Sequence, residues 1–206
     1  MHISDGVLSA PVLVAGTALA AAGLVVGVRR LTPEAVPKVA MMSALFFVGS
    51  LLHVPVGVSS AHLLLTALVG VTLGWLAFPA FLVALVLQAL FFGYGGVSVL
   101  GVNLLVFALP AVACWYAARN WWAGSDGRRG AVGAALIGAA GVLGSGLVVA
   151  GALAASGREF LPAAGLVLGA HVPVMVAEAF VTAAALGALA RVKPELLRAS
   201  FTGQHA

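Results

Sequence analysis

Apolar residues in this chain fall in long runs that lack the alternation of a half-exposed strand or the one-sided stripe of a water-facing helix. Pro, Gly and charge clusters separate the runs. At about 20 residues per bilayer crossing, they predict seven transmembrane helices, over about 10–28, 39–54, 61–77, 79–93, 103–120, 131–154 and 162–190. The fourth is short, and the last is long and carries Pro173, so tilting, kinking or breaking is expected there. A membrane β-barrel would need short segments of alternating polarity, whereas these runs are apolar all round. The expected fold is an all-α membrane protein: one polytopic bundle of seven transmembrane helices, a single domain over residues 1–206, with a short polar segment, 1–8, ahead of the first span.

Composition closes off the soluble classes. Of the 206 residues, 63% are hydrophobic and 8% charged, against roughly 25% charged in a soluble domain, and the mean hydropathy is +1.16. Such a chain cannot cover a water-facing surface. The 26 glycines suit close helix contact in lipid, where small residues let backbones approach. Cys114 is the single cysteine, which excludes an intrachain disulfide and a thiolate metal cluster.

Charge placement gives an orientation. With seven spans, one side receives Arg29, Arg30, Lys38, Arg119, Arg128, Arg129, Arg191, Lys193 and Arg198, and the other only Arg158. Basic residues gather on the cytoplasmic side, so the N-terminus is expected outside and the C-terminus inside, in a multi-pass protein of the cytoplasmic (inner) membrane. The opening Met-His-Ile-Ser-Asp lacks the positive start of a secretory signal, and Arg29-Arg30 follow the first apolar run. That is the pattern of an anchor that stays in place.

The outer side, nearly free of charge, collects histidines: His2 in the leading segment, His53 at the outer end of the second span and His62 at the outer start of the third. Imidazole is the commonest metal-ligating side chain. The Met1 amine, the His2 amide nitrogen and the His2 imidazole can close adjoining five- and six-membered chelate rings, three nitrogens in a plane. His62 would complete a square, a geometry of Ni(II) or Cu(II) rather than of tetrahedral Zn(II). The bland alternative makes His2 a solvated residue, His53 an interfacial one and His62, preceded by Ser59 and Ser60, a helix cap or a partner of a loop carbonyl.

Other polar residues lie in or beside the spans. His171 and Glu178, seven apart, share a helix face if Pro173 does not displace them; an intramembrane carboxylate is a functional candidate by default, and a structural polar contact is the alternative. Gln88 and Asn103 flank the glycine-rich turn Gly93-Tyr94-Gly95-Gly96. No P-loop, H-E-x-x-H or G-x-S-x-G occurs in the chain, so ATPase, zinc-protease and hydrolase signatures are missing. An engine-free secondary transporter or channel for a small metabolite, and a membrane enzyme using Glu178 and His171 as an acid–base pair, are the competing classes.

Four blocks carry a family resemblance: Met1-His2-Ile3-Ser4-Asp5-Gly6; Ser59-Ser60-Ala61-His62-Leu63; Gln88-Ala89-Leu90-Phe91-Phe92-Gly93 with Gly95-Gly96 and Gly101-Val102-Asn103; and His171-Val172-Pro173 leading to Glu178 and Thr182. In this order the chain resembles the CbiM/NikM family, the substrate-binding membrane subunits (S components) of energy-coupling-factor cobalt and nickel transporters. The resemblance implies metal ligation by Met1, His2 and His62, with His53, Ser59, Ser60, Gln88 and Asn103 as supporting or gating residues. It implies no cofactor, since Ni2+ or Co2+ is cargo, and no nucleic acid. The implied partners are a transmembrane coupling subunit, two ATPase subunits that hydrolyse ATP on separate chains, and a small auxiliary membrane subunit in some systems. Ala40 and Ala44 fit the small-residue pair that faces the coupling subunit. The run Gly57-Val58-Ser59-Ser60-Ala61 replaces the family's Gly-Gly-Thr-Ser type run, and Val106 stands where many members have a second asparagine; both bear on hydrogen bonding around the metal rather than on a ligand.

Overall fold

The computed structural model describes residues 2–51, 53–56, 59–122 and 128–202. In chain order these form α1 (Ala10–Val28), α2 (Val36–Gly49), β1 (His53–Val56), β2 (Ser59–His62), α3 (Thr66–Leu73), α4 (Ala77–Phe92), α5 (Leu100–Trp122), α6 (Arg128–Ser156), α7 (Leu161–Ala170), α8 (Val172–Val192) and α9 (Pro194–Thr202). Short 3-10 turns, Gly74–Leu76 and Arg158–Phe160, lead into α4 and α7. Five stretches, Ala10–Val28, Thr66–Phe92, Leu100–Arg119, Arg128–Ser156 and Arg158–Val192, are long and apolar enough to cross a membrane, and α2 is a shorter apolar helix. The protein is a multi-pass helical membrane protein.

The stretch from Thr66 to Phe92 is two helices running in opposite directions. A straight helix over its 27 residues would be about 40 Å long. Yet His62, just before α3, and Gln88, near the end of α4, both meet the His2 side chain. Trp75, between the two helices, lies instead beside Arg30 at the far end of α1, 5.7 Å from guanidinium carbon to ring centre. The reversal falls at Gly74, whose φ of +57° is open to glycine at no steric cost. The third and fourth expected spans are therefore separate. The last expected span breaks at His171 into α7 and α8, with Pro173 in the first turn of α8, where no intrahelical N–H is needed.

Two helix ends differ from the sequence reading. The second span, expected to reach 54, stops at Gly49, and the third, expected from 61, begins at Thr66. Part of the interval forms an antiparallel hairpin in the register His53↔His62, Val54↔Ala61, Pro55↔Ser60 and Val56↔Ser59. Pro55 has no N–H for a helix, and the β-branched Val54 and Val56 favour extended backbone, so apolarity alone misassigns this segment. The sequence reading also lacks α9. This helix is tied down by the Trp115 indole donating to Ser200 O (3.1 Å) and the Ser200 hydroxyl donating to Val71 O (2.5 Å).

All eight residues of α3 are buried. Beside it, α8 turns Val174, Glu178, Thr182 and Leu186 inward, every fourth residue on one face, against a face of α6 rich in glycine. A Cβ on Gly138 would stand 2.6 Å from the carbonyl oxygen of Glu178, so the two backbones meet at a distance only glycine permits. The molecule has two chemically distinct ends. Arg30 with Trp75 and Arg119 with Trp115 mark one. At the other lie the leading segment, the Gly93–Ser98 loop and Ser156, at the opposite end of α6 from Arg128 and about 43 Å away by helix length.

Candidate metal site

Residues 2–9 fold back onto the bundle as a strap pinned at three points. Ile3 is buried; its N–H donates to Asn103 Oδ1 and its carbonyl accepts from Asn103 Nδ2, both at 2.9 Å. The side-chain amide thus pairs with one residue's backbone as a neighbouring strand would. The Asp5 N–H donates to Gly95 O (3.3 Å), and the Ser98 hydroxyl donates to Asp5 Oδ1 (2.5 Å). Gly96, at φ +142°, leaves room for the Asp5 carboxylate, which a Cβ would strike at 1.9 Å. Finally the Ser9 N–H donates to Ser156 Oγ (3.1 Å), whose own hydrogen goes to Ala152 O (2.9 Å).

The strap delivers His2 into an aromatic niche. Its ring centre lies 5.5 Å from that of Phe107, 5.8 Å from Tyr94 and 5.8 Å from His62. A directional hydrogen-bond chain fixes its tautomer. The Ser50 hydroxyl donates to Phe47 O (2.7 Å), so it accepts from Gln88 Nε2 (2.6 Å). That turns Gln88 Oε1 toward His2 Nε2 at 2.8 Å. A carboxamide oxygen only accepts, so Nε2 carries the hydrogen and Nδ1 the lone pair. Nδ1 is the nitrogen that closes a six-membered ring with the His2 amide. Burial and the positive α-amino group push the imidazole down to about 4, against a smaller opposing effect of Gln88.

His62 ends β2 and is buried. Its Nδ1 lies 3.0 Å from Leu63 O, an acceptor only, so Nδ1–H donates and Nε2 holds the lone pair. The chain then turns sharply: Leu65 has φ +52°, the one non-glycine in the left-handed region among the described residues. The Leu64 and Leu65 N–H groups both donate to Glu178 Oε1, the second at 2.7 Å. The α3 N-terminus has no side-chain cap of its own, so His62 does not cap it; of the two bland readings, the bond to a loop carbonyl is the one His62 makes, at Leu63 O.

The other expected residues divide. Met1 lies outside the described residues. His53 sits opposite His62 in the hairpin register, and Ser59 and Ser60 belong to β2. Gln88 and Asn103 are both buried and both bind the strap. Ala40 and Ala44 lie on the exposed face of α2. His171 and Glu178 each make a polar contact, but with separate partners: His171 Nδ1 goes to Val167 O, four residues back, and Glu178 to the turn before α3. Both partners are backbone groups, in keeping with the structural-contact alternative. Ser50 went unnoticed in the sequence, because nothing local links it to Gln88, 38 positions away. Among the described residues no three His, Cys, Asp or Glu side chains group together.

A many-helix membrane protein whose leading segment carries one imidazole to another is the class that fold and site define. The chain belongs to the CbiM family, the cobalt uptake substrate-specific transmembrane region, which matches residues 2–196. It is 42% identical over 207 residues to a Haemophilus influenzae protein whose name places it in metal transport, spanning 96% of this chain and 97% of that one. It is 36% identical to the fused nickel transport protein NikMN of Rhodobacter capsulatus, over 96% of this chain and 64% of the relative. A crystal structure of a transition metal transporter superimposes with a TM-score of 0.80 at 26% identity over 98% of both chains. A truncated transition metal transporter gives 0.79 at 26% identity, over 93% of this chain and 99% of the other.

Proposed function

We propose that the protein is the substrate-capture subunit of an ATP-driven energy-coupling-factor importer for Ni2+ or Co2+. The ion is held in a square of four nitrogens: the Met1 amine, the His2 amide nitrogen, His2 Nδ1 and His62 Nε2. The observation that carries this reading is the approach of the two imidazoles to 5.8 Å between ring centres, each with a hydrogen-bond partner that leaves the needed nitrogen its lone pair. Loss of the amide proton adds a negative charge to the ligand set, lowering the cost of holding a dication in partly buried surroundings. The strap end faces outside, the basic end faces the cytoplasm, and motion driven by two ATPase subunits through a coupling subunit opens the site inward. The exposed Ala40 and Ala44 on α2 meet the coupling subunit. The fused architecture named for the Rhodobacter relative supports an auxiliary membrane partner.

The test is metal content by elemental analysis, with a visible absorption spectrum, on protein purified with an unextended N-terminus. Companion samples carry His62→Ala or a short N-terminal extension. One Ni2+ or Co2+ per chain, lost in both altered proteins, is expected. Equal content in all three overturns the four-nitrogen site.

A further inference from the structure

We propose that Glu178 is a positioning residue for the metal site, acting on His62 through a single peptide group. The inference rests on the reading of His62 as a ligand. Glu178 is fully buried on α8, and its Oε1 accepts the N–H groups of Leu64 and Leu65. The Leu64 N–H and the Leu63 carbonyl belong to one rigid, planar, trans peptide unit, in which they point in opposite directions. A carboxylate gripping the N–H therefore aims the carbonyl. That carbonyl accepts the His62 Nδ1–H at 3.0 Å, which selects the tautomer with the lone pair on Nε2 and limits rotation of the ring. The path is continuous: carboxylate, peptide, imidazole, metal. It performs the task of the carboxylate–histidine pairs that orient many metal ligands, with a peptide inserted between the two.

Two further observations fit this role. Leu65 adopts left-handed backbone at φ +52°, which costs a non-glycine residue and needs an anchor; the second Glu178 hydrogen bond falls on that residue's N–H. Glu178 itself is held from behind by glycine packing, since α6 meets the α8 backbone at Gly138. That contact fixes the backbone from which the carboxylate reaches. A charge also polarises the peptide it binds, making the Leu63 oxygen a stronger acceptor for the imidazole hydrogen.

The experiment compares unaltered protein with Glu178→Ala, Glu178→Gln, Glu178→Asp and His62→Ala, all with an unextended N-terminus. Three quantities are read: Ni2+ affinity, the visible absorption band of the Ni2+ complex, and the imidazole 15N shifts of metal-free protein, which report the tautomer. Glu178→Ala should weaken Ni2+ binding by roughly 10–100-fold, shift the band and erase the Nδ1–H preference of His62. Glu178→Gln, whose amide oxygen can still accept both N–H groups, should restore the tautomer and most of the affinity. Where Glu178→Ala does not fold, Glu178→Asp decides: its carboxylate is withdrawn by one methylene, so weakened binding supports the inference and unchanged binding overturns it. A folded Glu178→Ala protein with unchanged band, tautomer and affinity also overturns it, leaving Glu178 a stabilising contact. His62→Ala separates the two readings. Unchanged Ni2+ binding in that variant removes His62 as a ligand whatever the Glu178 series does.

Discussion

His2 must hold an unprotonated nitrogen in a niche that also carries a positive α-amino group. Burial first, and that charge second, lower its imidazole from 6.5 to about 4. The proton balance then has a definite sign. Between these values an undocked strap binds a proton that the docked strap does not, so docking weakens as pH falls through this window and is unaffected by His2 above it. At about 1.4 kcal/mol per pH unit, the full penalty is roughly 3 kcal/mol below pH 4. Histidine resonances followed by NMR should show His2 neutral at pH 5.5 in metal-free protein; a midpoint near 6.5 contradicts the docked geometry. Metal affinity should also fall as pH falls, because the amine, the amide and His62 must give up protons. Affinity that stays flat across mildly acidic pH speaks against the four-nitrogen site.

The elements around the site divide the labour by stiffness. The strap has no regular structure and owes its course to side chains on α4, α5 and α6 and to the loop between α4 and α5. Asn103 is the firmest of these, since it satisfies both backbone groups of buried Ile3. Asn103→Leu fills similar space while leaving an N–H and a carbonyl buried without partners, at about 1–3 kcal/mol each. The expected result is Ni2+ affinity at least about tenfold weaker, with little change in the unfolding temperature of the bundle, because the helices do not depend on the strap. Unchanged affinity in this variant, measured by titration calorimetry, would show that the strap finds His62 without its pin. The hairpin and the turn before α3 form the opposite jaw, and Glu178 holds it.

Across the whole molecule, polarity is segregated along the bundle axis. Tryptophan–arginine pairs mark one end, and the strap with His2 lies at the other. The positive-inside bias then predicts which end labels from which side. Cys114 is buried and gives little background. A membrane-impermeant maleimide should react in intact cells with Val97→Cys, which is 85% exposed beside the strap. It should reach Lys193→Cys only after permeabilisation. The reverse pattern would place the metal site on the cytoplasmic side and exclude outside capture.

Much of this protein is written in the chain itself. Apolar run length sets the helices, because a bilayer requires about 20 residues without charge, and Pro173 marks the real break before α8. The third and fourth spans were separate in the sequence too, and the structure places the reversal between them at Gly74. The strands His53–Val56 and Ser59–His62 were hidden, since a membrane helix and an extended strand draw on the same valines. Met1, His2 and His62 were legible as chelating types. The acceptors that give His2 and His62 their tautomers were not, because Ser50, Gln88 and Leu63 act through directions in space rather than spacing in sequence. Glu178 was visible as a costly charge, and the sequence paired it with His171, its neighbour by helical count. Tertiary structure paired it instead with backbone 113 residues away. Composition and length determine what can enter the membrane; which buried polar groups meet depends on how helices cross, and that is decided only when they pack.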